Sequence, residues 1–561
     1  MTTRGGIWFA ILLISALLYK IHAMADGSRS SSTGIPQEKS TRAWVRWFLP
    51  SVSDLIFLCV LCILLFTALA VKLLGDAGIG WHIRTGQQIL TMHAIPRTDP
   101  FSSTMGGKPW FAWEWLYDLV VGELANVAGL NGVVWFTAAV IAGVFGWMFR
   151  LLVRREMNIF SALLLVLLAL SASTLHFLAR PHVVSWMFTL AFFWLLDSTE
   201  RNYFKGVGRH RKLWALPLLM LVWVNVHGGF VLGFVLLGIF WFGSVWTWFR
   251  TKGERIEEVL HRIAAGKRVR DLTRVGLASV AASFVNPYGW RLHTHIYSYL
   301  TNRFLMDHIE EFQSPNFHGV AQKCFLLLLV LSLGVLVTRG RKLRTSEGLL
   351  VLFVTYAGLY ASRNIPISAI LLAMIVGPWL PRVEFLEGFS LRMSAVELGL
   401  RAHLWAIAVT VGTLLIAVNG GRVGSSLLMD AHFGPKRMPV DAVNYLEAHS
   451  VQGPILGPDY WGGYLIYRMY PRVRVVVDDR HDLYGAEFLQ SYLRMMHVEH
   501  GWEDFLRENN PSCVLLPRNA ALASILAKTP EWQVIYEDDV SIAFTNGPES
   551  EPNLHAQMTL P

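Results

Sequence analysis

Charge is scarce in this chain, and so is cysteine. Only 16% of the 561 residues are charged and only four are Cys, against 53% hydrophobic residues that include 22 Trp and 32 Phe. Four Cys are too few for a disulfide framework. Cys59 and Cys62 fall inside an apolar run, Cys324 borders another and Cys513 lies in a strand-like run, so the C-V-L-C spacing reads as packing rather than metal or redox chemistry. Also missing are a phosphate-cradling Walker loop, a Gly-x-Ser-x-Gly elbow and a His-Glu-x-x-His pair, which removes the enzyme classes built on them.

What is present is more apolar material than one soluble core can bury, so a bilayer is the expected solvent. Apolar runs recur at 55–74, 133–149, 160–177, 183–196, 213–226, 230–248, 272–285, 325–337, 349–361, 365–380 and 404–418, and they read as eleven spans. A further apolar stretch at 7–18 reads as a twelfth span in preference to a signal segment.

The net charge of +9 raises the question of nucleic acid, but the basic residues sit in alternate loops between spans, and topology accounts for them. With 41–46 placed in the cytoplasm, the inner loops carry Arg150, Arg154 and Arg155, then Arg201 to Lys212, Arg250 to Arg270, Arg339 to Arg344, and finally Arg382, Arg392 and Arg401. The outer segments are the 75–131 loop, the turns Arg180-Pro181-His182, Asn225-Val226-His227-Gly228-Gly229 and Arg363-Asn364-Ile365-Pro366, the stretch 286–323, and everything after Asn419.

Any one polar turn at a span end is most simply a breaker. Taken together, Arg180, His182, Asn225, His227, Arg363 and Asn364 point to a wet extracytoplasmic cavity, because such groups are costly at membrane depth unless they line one. The 75–131 loop offers short amphipathic helices at 79–92 and 113–127 and places Asp76 where the first main span emerges. A carboxylate there can serve as general base toward an acceptor hydroxyl, or simply cap the helix that follows. Asp99 reads as a turn residue, and Glu114 as a group at the interface or facing the cavity.

The series Asp76, Trp81-His82, Gly86, Ile95-Pro96, Asp99-Pro100-Phe101-Ser102, Pro109-Trp110 and Glu114-Trp115, followed by Arg180-Pro181-His182, Asn225-Val226-His227-Gly228-Gly229, Asn286-Pro287-Tyr288-Gly289 and Arg363-Asn364-Ile365-Pro366, resembles a group of bacterial GT-C-like membrane glycosyltransferases over about residues 50–546. The resemblance implies a polytopic helical membrane fold and transfer of a sugar from a polyprenyl-phosphate donor, with the essential acidic residue of the first outer loop falling on Asp76. Relatives look like Asp-Pro-Asp where this chain has Asp76-Ala77-Gly78, so the second carboxylate of a two-carboxylate metal site is absent.

Beyond the last span, strand-like and helix-like segments alternate, which implies a small extracytoplasmic α/β domain. Asp478, Asp479 and Arg480 close one strand-like run, at the edge where open α/β sheets take ligands, although mutual pairing is an equal reading. Asp459-Tyr460-Trp461-Gly462-Gly463 has the flavour of the acceptor-recognition motif of oligosaccharyltransferases, with a different order and length.

The expected organisation is therefore an N-terminal apolar segment and linker (1–50), a transmembrane domain (51–420) and an extracytoplasmic α/β domain (430–561) in a bacterial inner membrane. The expected function is glycosyl transfer to a lipid, glycan or protein acceptor. Asp76 is the expected base, Arg180 and Arg363 the expected phosphate ligands, and His82, Glu114, His182, Asn225, His227, Asn364, Asp478, Asp479 and Arg480 further substrate contacts. The rivals are a transporter or flippase for a lipid-linked substrate and a non-catalytic glycan-binding scaffold. No cofactor is assigned; a divalent metal shared among His82, His182, His227, His293 and His295 is weighed against histidines that are simply hydrogen-bonded.

Overall fold

The computed structural model describes residues 48–204, 210–380, 384–400 and 403–546. The apolar stretch 7–18, the basic segment 41–46, and Lys205, Arg209, Arg382 and Arg401 lie outside the described residues. The chain is mostly helical, with a small sheet near its C-terminus, and divides into two compact units. The first takes residues up to Leu73, Val127–Thr294 and Met306–Asp430; the second takes Leu74–Asn126, His295–Leu305 and the residues from Ala431 onward.

In the first unit every expected apolar run is helical, but the runs are not equal in length. Among the described residues, four helices are long and apolar enough to cross a membrane: Trp115–Arg154, Ile159–His176, Gly228–Arg250 and Val320–Lys342. The pair Glu387–Gly399 and Leu404–Val418, bent by 59°, makes a fifth if taken as one span. The other runs form helices such as Val52–Phe66, Ala215–Trp223, Thr345–Tyr360 and Ile365–Val376, of 15, 9, 16 and 12 residues. Each apolar run thus coincides with helix, and by length and composition four of these helices reach the roughly 20 residues that cross a hydrocarbon core. The 40-residue helix Trp115–Arg154 is broken at Gly129, whose φ of +58° and ψ of −153° interrupt it between the expected amphipathic helix and the expected span. Glycine alone holds that conformation without a Cβ penalty.

Three of the basic residues expected in inner loops, Arg155, Arg201 and Arg344, are clasped by acids of the same unit. Arg344 reaches Asp197, Glu200 and Glu347 at 2.5, 2.6 and 2.6 Å. Arg155 adds contacts of 3.4 Å to Asp197 and 3.1 Å to Glu347, and Arg201 one of 2.8 Å to Asp197. This clasp lies in the C-terminal third of the helix His182–Phe204, roughly 22–27 Å along its axis from His182. A two-residue hairpin, β1 (Arg422–Val423) with β2 (Ser426–Leu427), follows the last long apolar helix.

The second unit is built on a four-stranded sheet of order β3-β4-β6-β5. β3 (Ile455–Leu456) runs parallel to β4 (Cys513–Pro517), while β4 pairs antiparallel with β6 (Ser541–Asn546), and β6 with β5 (Trp532–Glu537). The 75–131 loop supplies a further element to this sheet. Val475 bridges Ile455 on one side and Ser102 on the other, and the Ser103 N–H donates to the Val475 carbonyl at 2.8 Å. The helix Ile79–Met92 lies against the helix Asp459–Met469 where Gly80 meets Gly463, so closely that a Cβ on either would overlap backbone.

Candidate functional site

The first unit gathers cationic and imidazole groups at the ends of its helices. The Arg363 guanidinium pairs with Glu311 at 3.2 Å and lies over the Phe312 ring at 4.5 Å. Ser362 locks this turn to the neighbouring segment, its N–H donating to the Gln313 carbonyl at 2.9 Å. Burial alone pushes the Glu311 carboxyl up, but Arg363, Arg180, His176 and His182 outweigh it and hold the pKa down at about 2. Arg363 touches this carboxylate, and Arg180 and His182 act on it electrostatically; sequence reasoning missed it because Glu311 sits in no apolar pattern.

His227 joins this group through a directed chain of hydrogen bonds. Its Nδ1 accepts from the Gly229 N–H at 3.0 Å, so it carries no proton. The Ser185 hydroxyl, 2.8 Å away, must therefore donate to the same nitrogen, while the Trp223 indole N–H donates to Ser185 Oγ at 2.8 Å. The ring is the neutral Nε2–H tautomer, and burial, then Arg363 and His182, keep its pKa well below the usual imidazole range. His182 is tied down by the His176 carbonyl at 3.0 Å from Nε2, and His176 by the Ser362 carbonyl at 3.1 Å.

Asn225 and Asn364 are anchored to backbone carbonyls. The Asn225 amide donates to the Leu221 and Val285 carbonyls at 2.8 and 3.0 Å, and that of Asn364 to the Ala357 carbonyl at 3.0 Å. Both donor groups thus close helix ends, as breakers do.

In the second unit Asp76 is partly exposed, and its Oδ1 accepts from the Gly78 N–H at 2.8 Å. The turn is held from behind, since a Cβ on Gly463 would collide with the Ala77 carbonyl and approach Gly78 Cα. The Trp461-Gly462-Gly463 run therefore supplies small residues for packing: Gly462 rests on Asp478 and Gly463 on the Asp76 turn.

Asp478 and Arg480 lie buried, 0% and 3% exposed, and pair with one another. Arg480 donates to both Asp478 oxygens at 2.8 and 2.7 Å and approaches Asp99 at 2.8 Å, while the Tyr484 hydroxyl donates to Asp478 at 2.9 Å. Burial disfavours the Arg480 charge, yet Asp478 and Asp99 raise its pKa well above the ordinary value. The guanidinium also lies 4.7 Å from the Trp110 ring and 5.2 Å from Phe101. Asp99, more than a turn residue, joins this core and accepts from the Phe101 and Ser102 N–H groups at 3.1 and 3.0 Å. Asp479 remains partly exposed and accepts from the Trp81 indole at 3.0 Å.

His82, 1% exposed, is held between two carboxylates, Asp118 and Glu114. The expected metal histidines do not converge into a ligand set. His82, His182 and His227 have the partners given above, His293 faces Ser283 Oγ at 3.0 Å, and His295 pairs with Asp482 at 2.9 Å and stacks on Phe111. Among the described residues no group of three or more His, Cys, Asp or Glu is placed to hold a metal ion.

No protein-family model matches the chain, and no curated protein matches it in sequence. Solved structures do resemble it. The archaeal oligosaccharyltransferase AglB from Archaeoglobus fulgidus, in complex with an inhibitory peptide and a dolichol-phosphate, superposes with a TM-score of 0.50 at 10% identity. That match covers 92% of this chain and 76% of that one. The likeness to AglB is one of fold. ArnT from Cupriavidus metallidurans bound to undecaprenyl phosphate gives a TM-score of 0.47 at 13% identity, over 91% of this chain and 99% of that one.

Proposed function

We propose that this protein is a membrane glycosyltransferase that moves a sugar from a polyprenyl-phosphate donor to a lipid, glycan or protein acceptor on the extracytoplasmic side of a bacterial inner membrane. The observation that carries the reading is the group of Arg180, Arg363, His182 and neutral His227 around Glu311 in the helical unit. Two guanidiniums and an imidazole N–H suit the phosphate of a lipid carrier, whose charge grows as the sugar leaves. Glu311 holds the Arg363 guanidinium in place until a phosphate competes for it.

The fold likeness to AglB and the family resemblance of the sequence support the same reaction class. In the second unit Asp76 is the candidate base: it would take the acceptor hydroxyl proton as that oxygen attacks the anomeric carbon and the phosphate departs. The bond between Asp76 Oδ1 and the Gly78 N–H favours a second reading, a glycan-binding scaffold in which Asp76 only shapes its turn.

The test is sugar release from radiolabelled polyprenyl-phosphate donors by purified protein and by Asp76→Asn. Turnover by the wild type and its loss in the folded variant support the transferase. Equal turnover in both removes Asp76 from the mechanism, and no turnover with any donor leaves the scaffold.

A further inference from the structure

Within the second unit, the helix Ile79–Met92 meets the residues 115–126 through two glycines. Gly86 follows His82 by four residues, and Gly122 follows Asp118 by four, so each glycine lies one turn below its titratable neighbour on the same helix face. A Cβ on Gly86 would overlap the Asp118 carbonyl, and one on Gly122 would stand 2.6 Å from the Gly86 carbonyl carbon. The two backbones therefore touch, and that contact sets the short reach from His82 to Asp118.

The result is a closed line of three titratable groups. His82 Nδ1 lies 2.6 Å from Asp118 Oδ1, and Nε2 lies 3.7 Å from Glu114 Oε2. The Tyr117 ring meets the imidazole edge-on at 5.3 Å and Trp81 stacks on it at 3.6 Å. Asp118 is fully buried, and among the described residues its Oδ2 has no hydrogen-bond partner. Glu114 is the member that reaches the surface, with 11% of its side chain exposed. A carboxylate shut away from water at the inner end, an imidazole in the middle and a carboxylate at the opening form a device for fixing the charge of the outermost group.

We propose that Asp118 and His82 form a buried couple that keeps Glu114 ionised and aimed at the opening, where Glu114 accepts hydrogen bonds from the hydroxyls of a sugar-bearing substrate. This rests on the transfer reaction proposed above and adds positioning roles for His82 and Asp118. Burial, and then Glu114, push the Asp118 carboxyl well above its usual range, so the couple keeps a proton between Asp118 Oδ1 and His82 Nδ1 and leaves the His82 Nε2–H facing Glu114. Asp118, Glu114 and Tyr117 face His82 from one segment, and the helix that carries His82 contributes the stacked Trp81.

The experiment compares the wild type with Asp118→Asn, His82→Gln and Glu114→Gln. The first readout is pH-difference infrared spectroscopy of the protein in detergent, with the Glu114 carboxylate band assigned by its loss in Glu114→Gln. The second is the pH profile of sugar transfer. Losing the Nε2–H that faces Glu114 should move the pH at which the Glu114 band disappears, and with it the acid limb of transfer, upward by about one unit or more in both Asp118→Asn and His82→Gln. kcat/KM at neutral pH should stay within about tenfold of wild type in those two variants and fall further in Glu114→Gln. A Glu114 band that titrates unchanged in both couple variants overturns the proposal. A shifted band with no wild-type turnover on any donor overturns the transfer reaction and upholds the couple, so the two failures are separate.

Discussion

Ser185 donates its hydroxyl proton to His227. The direction follows from the Gly229 N–H, which occupies the same nitrogen and leaves it only the role of acceptor. His227→Asn keeps an acceptor at that position and should leave the fold intact while slowing sugar transfer at least tenfold through loss of the Nε2 donor. His227→Leu strands the Ser185 and Gly229 donors and should cost about 1–3 kcal/mol, read as a lower melting temperature of the detergent-solubilised protein.

The pairing of Arg363 with Glu311 leads to a binding prediction. Arg363→Gln should weaken polyprenyl-phosphate binding by roughly ten- to a hundredfold, as expected for loss of a hydrogen bond between charged groups. Arg363→Lys should recover only part of this, because one ammonium does not reproduce the two-pronged geometry. Equilibrium binding of a fluorescent polyprenyl phosphate checks both, and equal affinity in all three proteins would remove Arg363 from the phosphate site.

His481 and Asp459 make stability depend on pH. Burial works against protonation of the imidazole, but the 2.7 Å contact to Asp459 raises its pKa above the ordinary value. A raised imidazole pKa stabilises the fold below the unfolded value of about 6.5, and that contribution fades as pH rises through the folded pKa. The melting temperature of the wild type should therefore fall more steeply above pH 6.5 than that of Asp459→Asn. Parallel curves would show that the pair is not coupled to folding.

The clasp around Arg344 is predicted to be fragile. Removing one member of a buried charge network leaves the others unneutralised, at a cost of about 3–5 kcal/mol. Arg344→Met should accordingly lower the thermal stability of the helical unit sharply, measured by loss of monodisperse protein on heating in detergent.

Some of this was legible in the sequence. Periodicity and apolar runs located the helices, Gly129 stands where an amphipathic segment was separated from a span, and the polar turns named Arg180, His182, His227 and Arg363, which gather around Glu311. The partners were not legible. Asp197, Glu200 and Glu347 look like ordinary loop acids until the fold brings them to Arg344, and Asp118 lies in a stretch whose amphipathic pattern gives no hint of His82. Asp478 and Arg480 were placed at a sheet edge because a strand-like run ends there. That edge is covered by Phe101 to Thr104, a pairing between residues 372 positions apart that no local pattern encodes.

That same pairing orders events during synthesis. Phe101 to Thr104 emerge early, yet the strand partner at Val475 and Val476 is made some 372 residues later. At about 5–20 residues per second the ribosome needs roughly 20–75 s to deliver it. Until then the Ser103 amide and the Thr104 hydroxyl lack their acceptors and Phe101 lacks its cover, so the nascent loop waits as an exposed, sticky strand. A late part of the chain completes the segment around Phe101, and a chain cut short before residue 475 should be recognised and degraded as misfolded.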